Sequence, residues 1–123
     1  MSDQKTLYET DPEFMERLRY FAAEEVVKEP EQQLDEVTRH LAILATLLGC
    51  QGKEVFAHLL PRALDAGVTP VMVKETVYQA VDYLGIGRVL PFLEQTNRVL
   101  TARGVSLPLA GQATTTMENR LEK

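Results

Sequence analysis

The sequence predicts an all-α protein, and its periodicity and composition carry that prediction. Apolar residues recur at helical spacing in nearly every segment between glycine and proline, whereas the alternation typical of strands is almost absent. The chain has 123 residues, of which 45% are hydrophobic and 25% charged, the composition of an ordinary soluble domain. We therefore expect five helices in a single domain over residues 1–104, followed by a tail over residues 105–123.

The first helix is predicted to begin at Pro12, with Asp11 as its capping residue, because proline and a short acidic side chain favour those two positions. Pro30 ends it, after about Lys28. One apolar stripe with the spacing of an amphipathic helix consists of Phe14, Leu18, Phe21 and Val26.

The second helix is predicted over Asp35 to Gly49, with Gly49 as a left-handed end. Its apolar residues surround the helix almost completely and are Val37, Leu41, Ile43, Leu44, Ala45, Leu47 and Leu48. Such a helix is buried within the protein or against another subunit.

The third helix is predicted from about Lys53 to Ala66 and ends at Gly67. Its apolar side carries Val55, Leu59 and Ala63. Pro61 is expected to kink this helix or to start a new segment, because proline lacks the N–H and crowds the preceding turn.

The fourth helix has the clearest start, because Thr69 can cap it and Pro70 opens it, while Val68 can pack onto Val73. It continues to Gly85, with an apolar face of Val73, Val77, Ala80, Val81 and Leu84. The fifth helix begins around Leu90 or Pro91 and stops at Gly104.

The tail contains the apolar residues Leu107, Pro108 and Leu109, which must cross the domain's own surface or that of a neighbouring subunit. Further along the tail, Thr115 can start a short terminal helix.

Charge and cysteine content exclude several classes of function. Lys and Arg number 13 against 18 Asp and Glu, a net charge of −5, which argues against nucleic acid or an anionic membrane as a partner. The single Cys50 cannot form an intramolecular disulfide, and the N-terminus lacks the apolar region of a signal peptide. A cytoplasmic location is the simplest interpretation. The two histidines are far apart, and no cluster of His, Cys and carboxylate residues has ligand spacing, so no metal site is expected.

The third helix carries the strongest candidate for chemistry, since Glu54, His58 and Arg62 fall on one stripe. A carboxylate one turn before a histidine can orient the ring and raise its pKa, which prepares it for acid/base catalysis. The alternative is that these three side chains form a solvent-exposed row of charged and polar groups along the helix, without a catalytic role.

A second group of polar residues lies on the fourth helix and just beyond it. Gln79 and Tyr83 could bind a carboxylate or hydroxyl group of a substrate, with Arg88 as counter-charge. The alternative is an ordinary hydrated helix face whose tyrosine rings cover a contact between subunits. His40, beside Arg39, is interpreted as a packed or interface histidine, and Cys50 as an inert thiol.

Four segments together resemble the carboxymuconolactone decarboxylase family over residues 35–103. They are Thr38–Ala45, the pair Glu54-x-x-x-His58, Ala63–Pro70, and Glu75-x-x-Tyr78-Gln79-Ala80 with Tyr83-x-Gly85. The tail, from Gly104-Val105-Ser106-Leu107-Pro108-Leu109 onward, resembles the C-terminal extension of one subgroup.

This resemblance implies an AhpD-like helical bundle in an intertwined homo-oligomer, a trimer or a hexamer. It also implies cofactor-free decarboxylation of a lactone acid, with Glu54 and His58 as the catalytic pair. A sister branch uses a Cys-x-x-Cys pair for peroxidase-linked redox chemistry; the matching positions here are Gln51 and Glu54, so that chemistry should be absent. Counted back from Gly67, the family's histidine falls at Leu59, which would rotate His58 by about 100° from the expected direction.

The first hypothesis is therefore a family member that acts on a small carboxylated or lactone-type metabolite. His58 would transfer the proton, Glu54 would orient it, and Arg39, Gln79, Tyr83 or Arg88 would bind the substrate. The second is a non-catalytic protein of the same fold that binds a small acid or supports an assembly. A third, thiol-dependent redox activity, would require Cys50 to pair with a partner's thiol.

Overall fold

A computed structural model describes residues 2–27 and 33–110 of the chain. Over these two ranges the regular structure is helical and contains no strand, which confirms the all-α prediction. The α-helices are α1 (Ser2–Thr10), α2 (Pro12–Tyr20), α3 (Glu36–Gly49), α4 (Lys53–Asp65), α5 (Pro70–Gln79), α6 (Val81–Leu84) and α7 (Ile86–Ala102), and a π-helical turn (Phe21–Glu25) follows α2. The chain divides into two compact units, Met1–Asp35 and Glu36–Lys123.

The first unit contains α1, which was not predicted, and α2, which begins at Pro12 as expected. Asp11 does not cap α2 with its side chain. Its carboxylate instead accepts a hydrogen bond from Thr10 Oγ1 at 2.7 Å, and its backbone N–H donates to the Leu7 carbonyl at 2.7 Å. The chain therefore enters α2 directly from a preceding helix rather than from an extended segment. Pro30, the predicted end of the first helix, lies outside the described residues.

The predicted apolar stripe of the first unit is exposed, with Phe14 at 65% and Phe21 at 57% of their full surface. Met15 is the buried side chain of α2. On the polar positions, Arg17 pairs with Glu13 and Arg19 with Glu16, each one turn apart. In the described part of this unit, most of the large apolar side chains are therefore exposed and do not form a buried core.

In the second unit, α3 ends at Gly49 as predicted, but the left-handed residue is Gln51, with φ of 63°, and not Gly49. The N–H of Gly52 donates to the Leu47 carbonyl at 2.8 Å, and that of Gln51 to Leu48 at 3.2 Å. This is the Schellman pattern, which places the left-handed residue after the helix end. Gln51 Nε2 also donates to the Leu48 carbonyl at 2.8 Å, a contact that favours glutamine here.

The α4 helix ends at Asp65, and the glycine predicted to terminate it, Gly67, follows two residues later with φ of 112°. Its buried face differs from the prediction and carries Phe56, Leu60 and Ala63, while Val55 is exposed. The helix continues through Pro61 without starting a new segment.

Thr69 caps α5 as predicted, and its Oγ1 accepts the N–H of Met72 at 3.2 Å. The predicted fourth helix is interrupted at Ala80, so α6 is a separate turn that ends at Gly85. Gly85 has φ of 88°, which allows α7 to begin at once, at Ile86 rather than near Pro91. Pro91 therefore lies inside α7 and does not open it.

The core of the second unit is formed where α3 packs against α4 and α5, and α7 packs against α4 and α5. Its buried residues are Leu44, Leu48, Phe56, Leu60, Ala63, Val68, Val73, Val77, Val89 and Phe92. Arg103, after α7, pairs with Asp65 at the end of α4 at 2.6 Å. Leu109 of the tail is also buried, whereas Thr115 and the rest of residues 111–123 lie outside the described residues.

Candidate functional site

His58 lies on α4, half-buried, between exposed Glu54 and exposed Arg62. The structure shows no hydrogen bond or ion pair between Glu54 and His58. Burial lowers the pKa of His58, and the nearby Arg62 guanidinium lowers it further. The net shift is downward, opposite to the rise expected from a neighbouring carboxylate, and it favours the neutral imidazole.

The histidine with a carboxylate beside it is instead His40, on α3. Its Nε2 lies 3.7 Å from Glu36 Oε2, one turn earlier in the same helix. Burial and Arg39 lower the pKa of His40, and Glu36 opposes them. The spacing Glu36-x-x-x-His40 repeats that of Glu54 and His58, and this repeated spacing was the signal that sequence reasoning passed over.

Arg39, a predicted substrate-binding residue, is already paired. Its Nη2 donates to both oxygens of Glu36, at 3.0 and 2.9 Å. Only 19% of the Arg39 side chain is exposed, against 63% for Glu36. In this arrangement the guanidinium positive charge is compensated within α3, so a substrate carboxylate would have to compete with Glu36 for it.

The other predicted binding residues lie on successive helices of the second unit: Gln79 ends α5, Tyr83 is in α6, and Arg88 is in the first turn of α7. All three are exposed, Tyr83 to 90% of its full surface. The structure shows no hydrogen bond among them. Two apolar neighbours in α7, Ile86 and Leu90, are exposed as well.

Sequence reasoning missed a buried lysine. Lys74 of α5 is only 6% exposed, and its Nζ donates a hydrogen bond to Asn97 Oδ1 of α7. Burial lowers the pKa of Lys74. The signal was present, because position 74 lies three residues before Val77 and seven before Val81, on the predicted apolar side of the helix.

Cys50 and the groups able to bind a metal ion are further candidates for chemistry. Cys50 is exposed directly after α3, and its Sγ lies 3.8 Å from the Leu47 carbonyl oxygen. Among the side chains that the structure describes, in residues 5–27 and 33–110, no group of three His, Cys, Asp or Glu is placed to hold a metal ion. Across the same ranges, no helix is both long and apolar enough to cross a membrane.

The sequence model of the carboxymuconolactone decarboxylase family matches residues 12–97, from the start of α2 to within α7. The chain belongs to this family. The match begins earlier in the chain than the resemblance noted from the sequence and includes His40, His58 and Lys74. Comparison with curated proteins and with solved structures gave no significant match.

Proposed function

We propose that this carboxymuconolactone decarboxylase family protein is an enzyme that performs acid/base chemistry on a small carboxylated or lactone-type metabolite. The observation that carries the proposal is the state of His58. It is half-buried, its lowered pKa keeps it neutral, and no side chain of the described residues occupies its nitrogens. A neutral, unoccupied imidazole is ready to exchange a proton with a bound substrate.

The proposed reaction is decarboxylation, as the family name indicates. The bond between the carboxylate and its neighbouring carbon breaks, CO₂ leaves, and the electron pair is delocalised into a conjugated carbonyl. His58 takes up a proton from water, delivers it to the carbon that carried the carboxylate and returns to the neutral imidazole. The hydroxide left behind combines with the released CO₂ to give bicarbonate. The imidazolium formed in this cycle would attract Glu54, one turn earlier, although the neutral ring does not, so Glu54 is assigned the role of stabilising the charged state.

Substrate binding is assigned to Gln79, Tyr83 and Arg88, with Arg39 available if Glu36 releases it. Gln79, Tyr83 and Arg88 are exposed on a single chain, as are Ile86 and Leu90, which supports a homo-oligomer in which a second copy covers this surface. The free thiol of Cys50 agrees with action in the reducing cytoplasm.

The test is a screen of purified protein against lactone acids and β-keto acids, with release of CO₂ as the measurement. His58→Gln should lower turnover by about 10²–10⁴-fold. His40→Gln is the matched control, because His40 is also half-buried one turn after a glutamate, and it should retain most activity. Full activity in His58→Gln, or loss in His40→Gln alone, would contradict the assignment; binding without turnover across the screen would favour the non-catalytic alternative.

A further inference from the structure

We propose that Lys74 and Asn97 bind a carboxylate group of the substrate, with the Lys74 ammonium as counter-charge and the Asn97 amide as hydrogen-bonding neighbour. This inference rests on the proposed function, because it assumes a carboxylated ligand. It assigns the role of anion recognition to a residue that is distinct from the four binding residues expected from the sequence.

Lys74 is buried although its side chain carries a charge. Lysine is almost never fully buried unless it is paired, because transfer of an ammonium group out of water is costly. Lys74 is 6% exposed and lies beside buried Val73 and Val77 of α5. Its partner Asn97 is only half-buried, so the pair borders the surface of the second unit.

The hydrogen-bond partner of Lys74 is a neutral amide and not a carboxylate. Four arginines in the described ranges pair with carboxylates, as in Arg103 with Asp65 at 2.6 Å and Arg39 with Glu36 at 2.9 Å. Lys74, by contrast, has no carboxylate within 4.0 Å among the described side chains of residues 5–27 and 33–110 and donates to a neutral amide. The amide satisfies one of three donors and compensates no charge.

The single charge of the Lys74 ammonium group favours a ligand with one negative charge. A single ammonium group among aliphatic side chains compensates one negative charge, which suits a monocarboxylate better than a dianionic phosphate. The burial that lowers the pKa of Lys74 would be opposed by a bound anion, so binding of a carboxylate favours the charged amine.

The experiment measures binding by calorimetry and thermal shift, with a saturated lactone acid, 5-oxotetrahydrofuran-2-carboxylate, and its uncharged carboxamide as probes. The carboxylate should bind wild type, and the carboxamide at least tenfold more weakly. Lys74→Met keeps the length and apolar stem of the side chain and should lose carboxylate binding by at least tenfold. Lys53→Met, at the start of α4, is the control and should bind like wild type.

Asn97→Asp provides an independent test if Lys74→Met folds poorly. It places a carboxylate next to Lys74, so it should raise the melting temperature and weaken binding of the carboxylate probe by at least tenfold. Failure of wild type to bind, equal binding of the carboxamide, or unchanged binding in both variants would overturn the proposal. His58→Gln should retain probe binding, so loss of turnover and loss of the anion site are distinguishable.

Discussion

The ring of Phe56 on α4 meets that of Phe92 on α7 edge to face, with centroids 5.1 Å apart and planes at 88°. Both side chains are buried, at 0% and 1% exposure, in the core of the second unit. Phe92→Ala should therefore lower the free energy of unfolding by about 3–5 kcal/mol in urea denaturation, and Phe92→Leu by clearly less. Equal, small losses in both variants would show that the ring contact contributes little.

The Thr69 cap makes a second prediction. Thr69→Ala removes the acceptor of the Met72 N–H and should cost about 1 kcal/mol of stability, whereas Thr69→Ser keeps the hydroxyl and should cost much less. Thermal unfolding of the two variants measures the difference. If both melt alike, the helix start depends on Pro70 and packing instead.

Stability should fall as the pH is lowered below about 6.5, the ordinary pKa of histidine. The pKa values of His40 and His58 are both lowered in the fold, so the unfolded chain takes up protons first and unfolding becomes easier. Urea denaturation between about pH 7.5 and 5.5 measures this slope. A variant with both histidines changed to Gln should have a shallower slope; an unchanged slope would assign the effect to other groups.

Cys50→Ser should leave the melting temperature and any turnover nearly unchanged. Cys50 is exposed, and the sequence provides no second cysteine to resolve an oxidised thiol. The measurement is thermal unfolding together with a peroxide-dependent thiol assay. Peroxide-linked turnover that disappears in this variant would revive the redox hypothesis.

The tail provides the last prediction, which concerns assembly. Truncation after Gly104 removes buried Leu109 and should lower both the melting temperature and the stability of the proposed oligomer. Truncation after Ala110 keeps Leu109 and separates its contribution from that of residues 111–123. Light scattering reports the mass of each form. An unchanged mass and melting temperature in both would show that assembly depends on the helices alone.

Local signals in the sequence determined much of the fold. Helical periodicity alone predicted an all-α chain, and the starts and ends with a specific backbone requirement were found, as at Thr69, Gly67 and Gly104. The errors occurred where a signal admits two structures. Pro91 can open a helix or lie inside one, and the positive φ of Gly85 decided in favour of an earlier start of α7.

The candidate site also combines features that local sequence predicts with features that only tertiary structure decides. Glu54 and His58 were selected from the sequence because their types and spacing are local properties, and their motif contributed to the family resemblance; their assignment to acid/base chemistry stays a prediction. The state of His58 depends on tertiary structure, because burial is the main cause of its lowered pKa. Packing of α5 against α7 buried Lys74 beside Asn97, 23 residues away in the chain, and no local pattern specifies such a contact.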